Sequence, residues 1–229
     1  MNVNTTTRFG SAVGSVDPRA PGLTLRDALA YFVRRPSAQL LALLFSATLA
    51  ARIALGEFSL WDLAVAAGVV AVQPLTEWLI HVEILHFRPR LWRGRVVDIP
   101  IAHDHRAHHA EPHDPTWWFI PAPSMLTGFA FLAGLAWLLM PTLELALTMI
   151  AAEVVLGTIY EWTHFLCHSS WRPQSAWYRQ LWKLHRLHHF KNENYWMGVT
   201  MHAADRVLGT LPEAGEVETS PTCRNLDRR

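Results

Sequence analysis

Four apolar stretches constrain this chain more than anything else in it: AQLLALLFSATLAARIAL (Ala38 to Leu55), Leu60 to Ile80, Ser124 to Met140 and Thr142 to Trp162. A helix crossing the hydrocarbon core of a bilayer needs roughly 17–25 residues, and each stretch reaches that length. In lipid every backbone polar group must be satisfied within the protein, which leaves helices or closed barrels. The stretches therefore predict an all-α membrane bundle of four transmembrane helices, with Pro141 marking a tight turn between the last two. The chain has 229 residues, and four such helices would over-fill the core of a soluble protein that size.

Charge gives the bundle a direction. With four spans, residues 1–37, the loop 81–123 and everything from Thr163 onward fall on one side. Of the twenty Lys and Arg residues, only Arg52 lies elsewhere, near the far end of the first span, where a long side chain snorkels toward water. Positive charge is retained on the cytoplasmic side, so both termini and every histidine are expected there, with His81 just past a span end. The formal net charge of +1 gives no ground for a nucleic-acid partner.

The flanks read differently from the centre. Residues 1–22 lack an apolar segment of the signal-peptide kind and read as a polar, mobile tail; residues 211–229 read as a second polar, loose tail. The domain is expected over 23–210. Within it, LTLRDALAYFVRRP reads as an interfacial helix before the first span, with Leu25, Ala28, Leu29, Phe32 and Val33 at helical spacing and Thr24 and Asp27 placed for a capping box. DPTWWFIPAP, from Asp114 to Pro123, reads as an aromatic belt or the rim of a lipid entrance.

The chemistry is concentrated in histidine. Ten of the thirteen histidines form four clusters: His81 and His86 as H-x4-H, His105, His108 and His109 as H-x2-HH, His164 and His168 as H-x3-H, and His185, His188 and His189 as a second H-x2-HH. Residues three or four apart share a helical face, so His164 and His168 point the same way from the end of the fourth span. In each H-x2-HH the adjacent pair diverges by about 100°, so one triplet can serve two neighbouring metals. Ten imidazoles exceed the needs of one ion, and two ions are the natural count. Cys167 and Cys223, the only cysteines, cannot build a thiolate cage. Nitrogen ligation suits zinc, copper, iron or nickel.

Glu77, one turn before His81, Glu161, three residues before His164, and Asp104 and Asp205 are candidates to orient imidazoles through their free N–H groups. His103, His113 and His202 stand outside the clusters. Trp182, Trp196 and His202 are candidates to line a substrate tunnel.

The order H-x4-H, H-x2-HH, H-x3-H, H-x2-HH resembles the fatty acid hydroxylase superfamily, which includes sterol desaturases and carotenoid hydroxylases. The resemblance runs from about Leu75 to Thr210. It is carried by EWLIHVEILH (Glu77 to His86), YEWTHFLCH (Tyr160 to His168) and LHRLHHFKNENYWMGVTMHAADRVLGT (Leu184 to Thr210), which look most like the fatty acid 2-hydroxylase branch. The loop RPRLWRGRVVDIPIAHD departs from that branch. What the resemblance implies is a di-iron centre, with zinc as a possible substitute, in a cytoplasmic helical cap. It implies hydroxylation of a lipid C–H bond, on an acyl chain and near its carboxyl end, with dioxygen. Many eukaryotic members carry a fused cytochrome b5 domain for which this chain has no room. Electrons are therefore expected from a separate partner of the cytochrome b5, ferredoxin or reductase kind. A sterol or carotenoid ring hydroxylase or desaturase is the competing enzyme, and a metal transporter or storage protein the competing non-enzyme.

Overall fold

The structure, a computed structural model, describes residues 16–226. Most of the tail expected over residues 1–22 thus lies outside the described residues. Helix α1 (Leu25–Phe32) begins as the sequence predicts. Thr24 Oγ1 accepts from the Asp27 amide and the Asp27 carboxylate accepts from the Thr24 amide. Its apolar residues divide between two surroundings. Ala28 and Phe32 pack with Tyr31 into a cluster around Trp118, Phe165 and Leu166, while Leu25, Leu29 and Val33 form an exposed stripe.

Four helices are long and apolar enough to cross a membrane: α2 (Pro36–Leu55), α3 (Leu60–Leu79, continued by a wider turn to Leu85), α5 (Ala122–Leu139) and α6 (Leu143–His168). Pro36 at the first position of α2 sets its start, since the missing N–H has no helical partner there. Ser59 and Asp62 cap α3 reciprocally, and Thr142 caps α6. Helix α6 is the hub against which α2, α3 and α5 pack. Ala136, Ala146, Met149, Ile150 and Val154 fill its contacts with Leu41 and Val69. Leu43, Ile53, Phe131, Trp137 and Leu138 remain exposed on the outer surface, as lipid-facing side chains should be.

Arg52 does not snorkel. It is buried and paired to Asp62 at 2.7 Å, with Thr148 donating to the same carboxylate oxygen at 2.6 Å and the Gly56 carbonyl accepting from the guanidinium at 2.5 Å. A guanidinium this close to a helix-capping carboxylate gains more from the fixed pair than from reaching for water, and the network pins α2, α3 and α6 together at the end of the bundle away from the histidines.

The opposite end carries the cap: a short hairpin, β1 (Arg90–Trp92) and β2 (Arg95–Val97), then α4 (Pro100–Ala110), α7 (Ala176–Phe190) and α8 (Ala203–Leu208). Residues 213–226 are not a loose tail. Thr222, Cys223 and Leu226 are buried, and the Ser220 amide donates to the Lys191 carbonyl at 2.7 Å. Polar composition misled the reading here, because these groups are satisfied by hydrogen bonds to the cap.

Candidate metal centre

Each histidine cluster is delivered by a different piece of local geometry. H-x4-H is a poor spacing for an α-helix, where five residues leave the rings about 140° apart. The chain answers by widening α3 into a π-turn over Ile80–Leu85, in which the His86 amide donates to the His81 carbonyl at 3.0 Å. The ring centroids of His81 and His86 then lie 4.9 Å apart. Such single wide turns are frequent at functional sites. His164 and His168 occupy the last turn of α6, which runs six residues beyond the apolar stretch that ended at Trp162.

The two triplets are shared between two groups of five. His81, His86, His105, His109 and His188 bring one ring nitrogen each to within 4.8 Å of one another, and His108, His164, His168, His185 and His189 do the same. On α4, His105 and His109 serve the first group and His108 the second. On α7 the sharing is reversed, with His185 and His189 in the second group and His188 in the first. The diverging adjacent pairs expected from the sequence thus place each triplet across both groups. His103 is mostly exposed beside Asp104, and His113 stacks on Phe190 at 5.5 Å; both stand apart from the groups.

The rings are aimed by backbone carbonyls. The Nδ1–H of His81 donates to Met197 O at 2.5 Å, that of His109 to Cys223 O at 2.9 Å, that of His164 to Trp118 O at 3.0 Å, that of His168 to Pro112 O at 3.1 Å and that of His188 to Tyr195 O at 2.8 Å. A carbonyl only accepts, so Nδ1 carries the proton in all five rings and the Nε2 lone pair is free. Burial pushes the His109 and His188 imidazoles down to about 3. Burial also holds His105, His108, His185 and His189 well below the usual range, helped by neighbouring imidazoles. Neutral imidazole is the form that binds a metal.

These residues fit metal ions by a direct test. His109 Nε2 and His188 Nε2 face each other at 3.2 Å, each with its only proton committed to a carbonyl on the other side of the ring. Two buried lone pairs that close repel unless a cation lies between them. Ligands about 2.0–2.1 Å from one ion stand about 3 Å from each other, which is the separation seen. His185 Nε2 lies 2.7 Å from His168 Nε2 and 3.1 Å from His189 Nε2 in the second group, and the Nε2 atoms of His81, His105 and His164 are buried without a hydrogen-bond partner.

Glu77, Glu161 and Asp205, expected to take the imidazole N–H groups themselves, instead bond to the loops that carry these carbonyls, because the carbonyls already occupy the ring N–H groups. Glu77 accepts from the Val199 and Thr200 amides and from the Thr200 hydroxyl. Asp205 accepts from the Met197 amide at 2.9 Å, the Gly198 amide at 2.8 Å and the Thr210 hydroxyl at 2.6 Å. These bonds hold its carboxyl below the usual range although burial opposes them. Glu161 accepts from the Ile120 amide at 3.0 Å, two residues from Trp118. Asp104 meets only the exposed His103.

Trp196 is completely buried. Its backbone is left-handed (φ 57°), with the amide on Thr210 O and the indole N–H on Pro212 O. The kink turns the carbonyls on either side of it, Tyr195 and Met197, onto His188 and His81. Trp182 stands half-buried beside the Arg172 and Arg186 guanidiniums, and His202 bonds to Asp205 at 3.2 Å. Trp118, read as part of an aromatic belt, is in the protein core, with its indole N–H on Pro112 O.

The sequence reading missed residues 193 and 222–224. Glu193, buried, accepts from the Thr222 hydroxyl at 2.6 Å, and Arg224 donates to the carbonyls of His109 at 3.1 Å and Ala110 at 2.8 Å, at the end of α4. Together they seat the Cys223 carbonyl on His109. Glu193 could have been noticed, four residues after His189; a carbonyl partner leaves no trace in residue identity.

Four apolar helices over a buried cap of clustered imidazoles define an integral membrane protein with a histidine-lined site suited to metal. The chain belongs to the fatty acid hydroxylase family, whose profile matches residues 66–210. It is 30% identical over 156 residues to the dihydroceramide fatty acyl 2-hydroxylase FAH2 of Arabidopsis thaliana, an alignment covering 66% of this chain and 61% of that protein. Its fold is similar to that of full-length Scs7p, in which only the hydroxylase domain is visible, with a TM-score of 0.63 and 24% identity over 80% of this chain and 66% of that one.

Proposed function

We propose that this protein is a membrane-bound oxygenase that hydroxylates a fatty acyl chain at C2, using two iron ions, dioxygen and electrons from a separate carrier. The facing lone pairs of His109 and His188 carry the metal part of this reading, since nothing but a cation relieves them. Family membership and the fatty acyl 2-hydroxylase named above support the lipid and the carbon. The first histidine group would hold one ion and the second the other; zinc fits the same nitrogens and would occupy them as a substitute. When bound, the irons supply oxygen activation for an unactivated C–H bond. The overall change is R–CH2–C(=O)X + O2 + 2 e⁻ + 2 H⁺ → R–CH(OH)–C(=O)X + H2O, with the electrons drawn from a cytochrome b5-, ferredoxin- or reductase-like protein.

The chain's own residues orient and exclude. Backbone carbonyls fix five rings with their lone pairs inward, and Tyr160 stacks on His164 at 5.9 Å from the bundle side. An acyl chain would reach the centre from the ends of the helices above it. The one-sided distribution of Lys and Arg supports a cytoplasmic centre. The functional unit runs from about residue 23 to 226, because the C-terminal segment completes the setting of His109. Both histidine groups sit at one end of the bundle and not at mid-span, unlike the ligands of most transporters.

The test is aerobic expression in a host of defined lipid composition, comparing wild type with His188→Ala by lipid mass spectrometry and metal counting. The expected result is a 2-hydroxyacyl product and two ions per chain, both reduced in the variant. An oxidised sterol or carotenoid in place of a hydroxyacyl lipid would move the substrate. Two bound metals with no altered lipid, in the presence of a reductant, would end the oxygenase reading.

A further inference from the structure

The β1–β2 hairpin is the part of the cap that the metal centre does not use. Arg93 (φ 50°) and Gly94 (φ 76°) form its turn, both left-handed as a two-residue hairpin of this hand requires. Arg90 pairs with Val97, Leu91 with Val96 and Trp92 with Arg95. Leu91 and Val96 thus share one face, and Arg90, Trp92, Arg95 and Val97 the other. Every residue of both strands is exposed: Leu91 by 76%, Val96 by 72% and Trp92 by 61%. A lone two-stranded hairpin is marginal in water, and one that exposes large apolar residues on both faces is in the wrong solvent.

Composition and position indicate the right one. Arg88 to Val97 reads RPRLWRGRVV, with four arginines and no acid, and begins three residues beyond the end of the second candidate span at Leu85. Basic clusters directly after a span bind anionic lipid, and tryptophan favours the headgroup level. The Arg90 and Arg93 guanidiniums lie over the Phe87 and Trp92 rings at 5.3 and 4.6 Å. A soluble acidic protein would seat on one face of a hairpin, whereas a lipid layer surrounds both.

We propose that the hairpin lies in the headgroup layer and binds anionic phospholipid, with Leu91, Trp92 and Val96 at the acyl boundary and Arg90, Arg93 and Arg95 on the phosphates. The contact is linked to the site. Arg106 on α4 bonds to Asp98 at 2.6 Å after the hairpin and to Phe87 O at 2.8 Å before it, one residue along from His105. Lipid binding at the hairpin therefore fixes the height of α4 over the membrane.

The full chain, carrying Val96→Cys and a nitroxide label, would be reconstituted in bilayer discs of phosphatidylcholine with one third phosphatidylserine. Cys167 and Cys223 are buried, so the new thiol takes the label. The expected result is relaxation by oxygen dissolved in lipid and protection from a water-soluble nickel chelate. A label that meets the chelate as freely as nitroxide in buffer would place the hairpin in water, and one shielded from both relaxants would place it against protein; either outcome overturns the proposal. In a second arm, the triple variant Arg90→Gln, Arg93→Gln, Arg95→Gln should retain its metal but lose affinity for phosphatidylserine about tenfold or more by native mass spectrometry. Unchanged lipid retention would also overturn it. Neither arm requires turnover, so the outcome is independent of the oxygenase reading.

Discussion

His81 and His188 depend on a turn of four residues, and the most exacting position in it carries no side chain. A Cβ added at Gly198 would lie 2.1 Å from Met201 O and 3.0 Å from the Asp205 carboxylate. Both neighbours are fixed, the first as backbone and the second by its bonds to the Met197 and Gly198 amides. Gly198→Ala must therefore open the turn and withdraw the Met197 carbonyl from His81. The expected cost is about 3 kcal/mol or more in stability, with a further loss of metal affinity of about 10–100-fold, read as a lower unfolding temperature and fewer than two ions per chain by elemental analysis. Ala203→Gly, on the exposed start of α8, serves as the control and should leave the metal content unchanged. At this scale the sequence was legible for donors and silent about their partners. Histidine, glutamate and aspartate advertise themselves, but Met197, Tyr195 and Cys223 act through carbonyls that any residue would supply.

At the scale of elements, periodicity was a good guide where the geometry was regular. The i, i+4 pairs of α4, α6 and α7 point as their spacing requires, and the bounds of the four apolar helices differ by only a few residues from the expected ones, apart from the C-terminal extension of α6. It failed where the chain left the α-helix. H-x4-H needs a π-turn, which no local residue signature encodes, and the hairpin's short exposed strands carry none of the alternation of a half-buried sheet. The segment 213–226 failed for another reason: it is polar, and polarity reads as solvent exposure until its partners are known. Those partners lie far off in sequence, Thr222 on Glu193 and Arg224 on His109. A chain ending after Val217 should still fold as a four-helix bundle, since among the described residues the hydrogen bonds of 218–226 run to α4 and to residues 191–193 just after α7. It should lose about 10–100-fold in affinity for the ion of the His109 group and keep the other more tightly. Thr222→Val should reproduce part of the loss and Thr222→Ser should restore it. Metal titration with a competing chelator separates the two affinities, and equal weakening of both ions would show that the segment merely supports the whole cap.

The molecule as a whole combines two stabilities at opposite ends of one bundle: the Arg52–Asp62–Thr148 network on one side and ten imidazoles on the other. Only the second is sensitive to pH near neutrality. The cap histidines have folded pKa values depressed by burial, His109 and His188 to about 3, against an ordinary value near 6.5. Above about pH 6.5 folded and unfolded rings are both neutral and the difference contributes nothing against folding. As pH falls below that value, unfolded rings take up protons that the folded cap refuses, so the unfolded state gains and stability declines down to the folded values. Because the folded rings refuse protons over this range, metal is lost as the cap opens and not by protonation of the closed site. The carboxyl of Asp205 is held below its usual range, so its contribution is lost only at lower pH and does not account for a decline between pH 6.5 and 5. Unfolding temperature and metal content, measured in detergent from pH 8 to pH 4.5, should therefore be flat above about 7 and fall together through the histidine range. His113→Gln, which removes a ring outside both groups, should leave both curves in place, whereas His109→Gln should reduce metal content already at pH 8. Metal lost at a pH where the unfolding temperature had not moved would mean that protons reach the rings of the folded site and that burial does not shield them.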